Sequence, residues 1–316
     1  MALDFGGHDG TSYHMLEDRA EQTDPWCEWL LHHRHADDPA YETVVREVIG
    51  RLADRVLDAA QLCPDMTLLD VGAGDGLLGF RAIERLGAAI QVVFTDISAP
   101  LLRHAQSSAA YRGVTAQCTF IQCSAENLAG VADASIDALV ARASIAYVSD
   151  KKAAFREFHR VLRPGGRLSI AEPILQDEAF AARALRRRLD SPGSQPQDPF
   201  VRLLHRWKSA QYPDTEEAYL ACAFANFSER DLVNLVRRAG FGEAHMQLHI
   251  DVAPSLITTW DVFLGSSPHP LAPSLRTIMS QFSAEERELF EKLVRPTVES
   301  GKNMTIEQTA YLNSTK

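Results

Sequence analysis

Three glycines at alternating positions provide the first candidate binding site. A mostly apolar run at residues 67–71, which contains Asp70, leads into Gly72, Gly74 and Gly76. An apolar helical pattern begins after these glycines. Glycine lets the backbone turn sharply and lets a ligand approach it closely. The N-terminus of the following helix favours a negative group such as a carboxylate. The loop, including the intervening Ala73, is therefore a predicted ligand-binding turn.

A second candidate, Asp96, stands at the end of the next apolar run, at residues 91–95. Parallel strands bring their carboxyl ends to one sheet edge, so Asp96 is expected beside the glycine loop. A carboxylate there can accept hydrogen bonds from both hydroxyls of a ribose. Its simpler interpretation is a helix N-cap, but its position after a glycine loop and a strand favours ribose binding.

The glycine spacing distinguishes between cofactor classes. A dinucleotide fingerprint G-x-G-x-x-G would need glycine where Leu77 stands, and no G-K-[ST] follows as a P-loop requires. The G-x-G-x-G present, with Asp70 two residues before it, resembles motif I of the class I methyltransferases that use S-adenosylmethionine (SAM). The best-matching branch acts on small metabolites and natural products. An NAD(P)-dependent oxidoreductase is the alternative from another reaction class.

Later motifs in the same order extend this resemblance. Residues 122–128 resemble the adenine-binding turn, with Ser124 where the family commonly has aspartate, and residues 141–144 match the segment that faces the methionine part of the cofactor. Residues 158–167 resemble the helix-turn-strand signature of these enzymes. The cofactor-binding residues that the resemblance implies are Arg34, Asp70, Gly72, Ala73, Gly74, Gly76, Asp96, Ile97, Ser124, Ala125, Glu126 and Arg142.

Methyl transfer needs placement more than it needs acid–base chemistry, because a sulfonium methyl is already activated. Oxygen, nitrogen and carbon acceptors can also require a base. The candidate catalytic residues are His33, Tyr147 and Glu172: a histidine of the 32–35 cluster, an aromatic past the fourth strand and an acid ending the fifth. A polar helix face or ordinary packing is the alternative interpretation for His33 and Tyr147. No metal site is predicted, since ligand spacing is missing.

Strands and helices alternate from residue 66 onward, which predicts an α/β fold. Predicted strands lie at residues 67–71, 91–95, 117–122, 136–141 and 167–171, with a final antiparallel pair at 245–252 and 257–264. The expected architecture is a Rossmann-like class I methyltransferase. It has a mostly parallel seven-stranded sheet with an antiparallel edge strand, a helical N-terminal extension and a helical cap insertion after strand five.

The domain prediction has three parts. Residues 1–60 form a helical N-terminal extension or lid, residues 61–265 the SAM-binding domain with a cap insertion at about 174–226, and residues 266–316 a helical C-terminal extension.

Composition limits the partners and the setting. The 316-residue chain has a formal net charge of −10, which argues against a nucleic-acid partner. Five cysteines without a C-x-x-C pair, a polar N-terminus and no long apolar run predict a cytoplasmic protein without a membrane partner. A small-molecule acceptor and a homodimer are expected. An arsenite methyltransferase, for which Cys222 is the one matching cysteine, and a non-catalytic SAM-binding scaffold are further alternatives.

Overall fold

The computed structural model describes residues 24–191 and 198–316, which fold as an α/β sandwich around one sheet. The strands are β1 (Met66–Val71), β2 (Ile90–Asp96), β3 (Cys118–Gln122), β4 (Ile136–Arg142), β5 (Leu162–Pro173), β6 (Ala244–Pro254) and β7 (Met304–Thr315). The helices are α1 (Pro25–Glu28), α2 (Pro39–Ala60), α3 (Leu77–Leu86), α4 (Ala99–Tyr111), α5 (Lys151–Val161), α6 (Gln176–Asp190), α7 (Pro199–Gln211), α8 (Glu216–Ala221), α9 (Glu229–Ala239), α10 (Trp260–Gly265), α11 (Leu275–Met279) and α12 (Ala284–Glu299). Trp29–His33 forms a π-helical turn directly after α1.

The sheet has the strand order β3-β2-β1-β4-β5-β7-β6. The first five strands are mutually parallel, and β7 runs antiparallel between β5 and β6. Val71 pairs with Thr95 on one side and with Ala141 on the other, so the loops after β1, β2 and β4 begin at one edge. The predicted seven-stranded, mostly parallel sheet with an antiparallel strand at one side is confirmed.

The two faces of the sheet carry separate apolar cores. Neighbouring residues of a strand point to opposite faces, and accordingly Leu68 packs with Phe80 and Phe94 while Leu69 packs with Phe155 and Phe158. These side chains are 0–4% exposed. Burial on both faces explains why the central strands appear in the sequence as near-continuous apolar runs. The sheet is therefore a rigid platform for the loops at its carboxyl edge.

A third apolar cluster lies in the helices outside the sheet. Leu203 of α7, Trp260 of α10 and Phe290 of α12 meet there, with α11 completing the group. Trp207 packs edge-on against both Phe263 and Phe290, with ring centroids 5.6 and 5.8 Å apart. The predicted cap insertion is helical, and its core includes helices that lie far beyond residue 226.

The strand that pairs with β6 is not the segment that the sequence predicts. Residues 257–264 were predicted as the partner of 245–252, but α10 lies there, and β6 pairs with β7 along its whole length. The C-terminal extension was predicted to be helical, yet β7 lies within it and also pairs with seven residues of β5. Its sequence alternates polar and apolar residues without long apolar runs, because residues such as Ile306 remain exposed on one face.

The predicted helical N-terminal extension is helical where the structure describes it. α1, the π-helical turn and α2 occupy most of residues 25–60, while the prediction for residues 1–23 falls outside the described residues. α2 starts after Asp38, whose carboxylate accepts the backbone N–H of Tyr41 at 2.8 Å, and has Pro39 in its first turn.

Among the helices of residues 24–191 and 198–316, none combines the length and the apolar character that a membrane span requires.

Candidate active site

The glycine loop between β1 and α3 is shaped by backbone conformations that side chains rarely adopt. Gly72, Gly74 and Gly76 have φ angles of 64°, 57° and 86°. A Cβ on Gly72 would lie 2.5 Å from the Ser144 Cβ, and one on Gly74 would lie 2.9 Å from a Leu30 methyl carbon. The loop is thus tightly enclosed by the β4 turn on one side and the N-terminal segment on the other.

Asp96 lies against this loop as predicted. One of its oxygens accepts the backbone N–H of Gly74 and the other that of Ser98, both at 2.9 Å. The carboxylate is 8% exposed, and burial raises its pKa while the backbone N–H groups oppose that rise. Each carboxylate oxygen has a second lone pair, so the side chain can still accept hydrogen bonds from a ligand.

Asp70 is buried at the end of β1. It accepts the backbone N–H of Gly79, inside the first turn of α3, at 2.9 Å. The carboxyl is 1% exposed, and burial raises its pKa to about 7. Its position ties β1 to α3 and holds the glycine loop between them.

The turn after β3 forms one wall of the site. The Ser124 hydroxyl accepts the backbone N–H of Glu126 at 3.2 Å, and the Glu126 carboxylate accepts that of Asp150 at 2.7 Å. Ser124, Ala125 and Glu126 all line the same cavity as Asp96 and Ile97. The cavity therefore extends from the glycine loop along the β2 and β3 ends.

The end of β4 supplies the opposite wall. Arg142 and Tyr147 line the cavity there, with Ser144 between them donating its hydroxyl to the Val71 carbonyl at 3.1 Å. Burial raises the pKa of the Tyr147 phenol far above its usual range. Trp26 packs edge-on against Tyr147, with ring centroids 5.3 Å apart.

The N-terminal segment covers the cavity. Trp26, Trp29, Leu30, Arg34 and His35 all line it. Two hydrogen bonds fix this segment to the loop after α10: the Trp29 indole N–H donates to the Ser267 carbonyl at 2.9 Å, and the Ser267 N–H donates to the His33 carbonyl at 3.0 Å. The covered cavity has a volume of about 560 Å³, within the range of small-molecule sites.

Three predicted site residues do not line the cavity. The His33 side chain is exposed at the surface, and only its backbone takes part in closing the segment. Gly76 is buried at the start of α3 and shapes the loop. Glu172 is 0% exposed, and its two oxygens accept the backbone N–H groups of Ser144 and Ala146 at 3.2 and 2.9 Å. The structure therefore places neither the His33 side chain nor Glu172 in the wall of the cavity, and Glu172 holds the β4 turn in place.

Several cavity residues were not predicted from the sequence, among them Trp26, Trp29, His35 and Arg46. Tryptophans in a polar N-terminal segment are a weak signal for a cover, but nothing in their spacing indicates which loop they pack against. His35 is 5% exposed, its Nδ1 has no partner among the described residues, and burial lowers its pKa. It is the histidine of the cluster that reaches the cavity.

The position of Cys222 does not support the arsenite alternative, although another cysteine, Cys123, lines the cavity. Cys222, the residue behind the arsenite alternative, lies in a different surface depression beside Lys151 and Asn226. Among the described residues, no group of three or more histidine, cysteine or acidic side chains is arranged to hold a metal ion.

Comparison with known proteins assigns the family. A family model described as a methyltransferase domain matches residues 62–239, which is more than half of the chain. The tRNA 5-carboxymethoxyuridine methyltransferase of Escherichia coli is 33% identical over 118 residues, covering 37% of this chain and 43% of the relative. Nocamycin O-methyltransferase of Saccharothrix syringae is 33% identical over 134 residues, covering 42% and 47%.

A third relative is the ubiquinone/menaquinone biosynthesis C-methyltransferase of Cellvibrio japonicus, 33% identical over 125 residues, which cover 39% of this chain and 50% of the relative. The chain thus spans about half the length of each of these curated relatives. The crystal structure of the YcgJ protein from Bacillus subtilis superposes with a TM-score of 0.50 at 17% identity, over 84% of this chain and 97% of that one, a similarity in fold alone.

Proposed function

Because this chain belongs to the methyltransferase-domain family, within the class I SAM-dependent methyltransferases, we propose that it transfers a methyl group from SAM to a small-molecule acceptor. The single observation that carries the proposal is the covered cavity, which is lined by the glycine loop, Asp96, Arg34 and Arg142. The family favours this reaction over the oxidoreductase alternative, as does the glycine spacing.

The residues of the cavity fit an adenosyl sulfonium ligand with a carboxylate. The glycine loop lines the cavity with its backbone, and Asp96 keeps free lone pairs next to it for a ribose. The turn at Ser124 and Ala125 offers backbone and hydroxyl groups to an adenine. Arg34, with no ion-pair partner among the described residues, suits the carboxylate.

The chemistry that the cofactor supplies is an electrophilic methyl group on sulfur. The chain's own residues bind the two substrates, orient them and exclude water from the site. Trp26, Trp29 and Leu30 cover the loop and keep solvent out. Tyr147 remains a protonated phenol at neutral pH, so it serves as a hydrogen-bond donor rather than a base. A neutral His35 can accept a proton, and its lowered pKa keeps it neutral.

A small acceptor is favoured over a nucleic acid by charge and by enclosure. The chain has a net charge of −10, and a cavity covered by an N-terminal segment suits a ligand that is fully enclosed. One relative is named as a tRNA methyltransferase, so RNA is the acceptor class to test against. A homodimer and a cytoplasmic location stay predictions.

The test compares acceptor fractions with the purified chain and isotope-labelled SAM. We expect label to enter the low-molecular-weight fraction of a metabolite extract and S-adenosylhomocysteine (SAH) to accumulate with it. Bulk tRNA should give neither. Label in tRNA alone would contradict a small-molecule acceptor. If SAH formed with none of the fractions, a non-catalytic scaffold would be favoured.

A further inference from the structure

Two arginines of the cavity differ from the other two in their partners. Arg46 pairs with Glu42 and Asp75, and Arg81 pairs with Asp54, at distances of 2.5–3.2 Å. Arg34 and Arg142 line the same cavity with no ion pair and no side-chain hydrogen bond to any residue in 24–191 or 198–316. The Trp29 ring, 5.3 Å from the Arg34 guanidinium carbon, is the aromatic contact of Arg34.

Both unpaired guanidinium groups are costly where they are. Burial lowers the pKa of both guanidinium groups, that of Arg34 to about 9, and the charge of Arg142 lowers the Arg34 pKa further. The negative charges of Glu172 and Asp75 oppose the fall for Arg142, but neither carboxylate forms an ion pair with it. Both still carry their charge at neutral pH. A buried guanidinium whose N–H donors have no acceptor is costly, so two of them in one cavity indicate a site that receives strong hydrogen-bond acceptors such as carboxylates.

One carboxylate from the cofactor does not satisfy both groups. Two guanidiniums present about ten N–H donors, whereas a carboxylate offers about four lone-pair sites. SAM also adds an ammonium and a sulfonium, so its binding increases the positive charge of the cavity. Acidic side chains such as Asp75 and Asp96 also line the cavity, but none of them accepts from Arg34 or Arg142, so the unused N–H donors leave room for a second anion. This step rests on the proposed function, since it takes SAM as the first ligand.

The positions of the two arginines separate their roles. Arg34 lies four residues after Leu30, on adjacent turns of the same helical segment, and Leu30 packs on the glycine loop at Gly74. Arg142 ends β4, on the side of the cavity where Tyr147 presents a phenol without a hydrogen-bond partner among the described residues. We propose that Arg34 binds the carboxylate of the cofactor and that Arg142, which the resemblance assigns to the cofactor, instead binds with Tyr147 a carboxylate on the acceptor.

Calorimetry on the full chain tests this in two steps. SAH is titrated first, and a chain that does not bind it would overturn the proposed function, and this inference with it. The SAH-saturated chain is then titrated with benzoate and phenylacetate and with their uncharged amides. We expect the acids to bind at least about tenfold more tightly than the amides. Equal binding of acid and amide, or no binding of either acid, would overturn the inference while leaving the proposed function standing.

Variants separate the two arginines. Arg142→Gln should abolish the preference for acid over amide and weaken SAH binding less than Arg34→Gln does, whereas Arg142→Lys, which keeps the charge, should restore part of the preference. Arg34→Gln should weaken SAH binding by about tenfold or more. Arg295→Gln, an exposed arginine on α12 paired with Glu291 and Glu299, is the matched control. An intact acid preference in Arg142→Gln would overturn the assignment.

Discussion

Asp96 and Asp70 are buried carboxylates on neighbouring strands, and the structure gives them different tasks. Asp96 accepts N–H groups from the glycine loop and from the start of α4 and faces the cavity with its remaining lone pairs. Asp70 accepts the backbone N–H of Gly79 in α3. At the scale of single residues, we therefore expect Asp96 to affect ligand binding and Asp70 to affect the pH dependence of folding.

Replacing Asp96 with alanine should weaken SAH binding by about 1.5–3 kcal/mol, which is the contribution of hydrogen bonds to a charged group. The Gly74 N–H also loses its acceptor, so the loop should be less ordered. Calorimetry with SAH measures the change. Asp58→Ala, which removes an exposed carboxylate of α2 paired with Arg85, is the control. An unchanged dissociation constant in Asp96→Ala would remove Asp96 from the binding site.

Asp70 gives a pH prediction. Burial raises its pKa from 3.8 to about 7 in the folded chain, so the folded state holds a proton that the unfolded state releases. Its contribution to stability is complete below about pH 4, falls as pH rises toward 7 and then levels off, a total on the order of 4 kcal/mol. Asp70→Asn should remove this fall. Urea unfolding of both proteins from pH 4 to 8 measures it, and parallel curves would contradict it.

At the scale of elements, the loops after β1, β2, β3 and β4 and one helical segment form the site, and the glycine loop and the turn after β4 are fixed by contacts with other elements. Glu172 on β5 accepts two N–H groups of the turn after β4, which in turn packs on the glycine loop through Ser144. Leu30 of the N-terminal segment packs on the other side. The cavity is therefore shaped by packing between elements that are distant in sequence.

Gly72→Ala tests this packing. The added Cβ would meet Ser144 at 2.5 Å and also stand at a φ of 64°. Gly113→Ala is a matched control, because its φ is 70° but nothing lies within 4 Å of the added atom. Both variants should lose about 1–2 kcal/mol from backbone strain, and Gly72→Ala should lose more and bind SAH more weakly. Equal unfolding free energies would show that the contact with Ser144 is unimportant.

The N-terminal segment should respond to ligand as a cover. It is held to the rest of the described chain by Trp29 and His33 at Ser267 and by side-chain packing. Ordering of this segment by a bound ligand slows its amide exchange. Hydrogen exchange with and without SAH should therefore show added protection at residues 24–46, with residues of α12 as an internal reference. Exchange that does not change in residues 24–46 would contradict a covering role.

At the scale of the whole molecule, the fold was predictable from the sequence because the parallel strands are buried on both faces. Such strands are short apolar runs, and the glycine loop and the acid after β2 mark their carboxyl ends. Most of the predicted cofactor residues line one cavity, with Gly76 as the exception that acts through the loop. Local sequence patterns are sufficient to predict site residues that lie at the end of a strand.

Long-range pairing was not predictable. β7 lies more than 130 residues after β5 in the chain, and its partner β6 was matched instead to a nearby apolar segment that forms α10. His33 and His35 were indistinguishable in sequence, because which of them faces the cavity depends on how the π-helical turn packs against the loop after α10. The strand partner and the choice between the two histidines both depend on tertiary contacts that leave no local pattern.

Calorimetric titration of the purified, well-folded chain with SAH is the most direct test of the central claim, that one cavity binds the adenosyl and amino-acid parts of a SAM-type ligand. We predict saturable binding of one molecule per chain in the micromolar range and a matching rise in unfolding temperature. NADH under the same conditions should give no saturation. Absence of heat and of stabilisation with SAH, or saturation with NADH instead, would contradict the account.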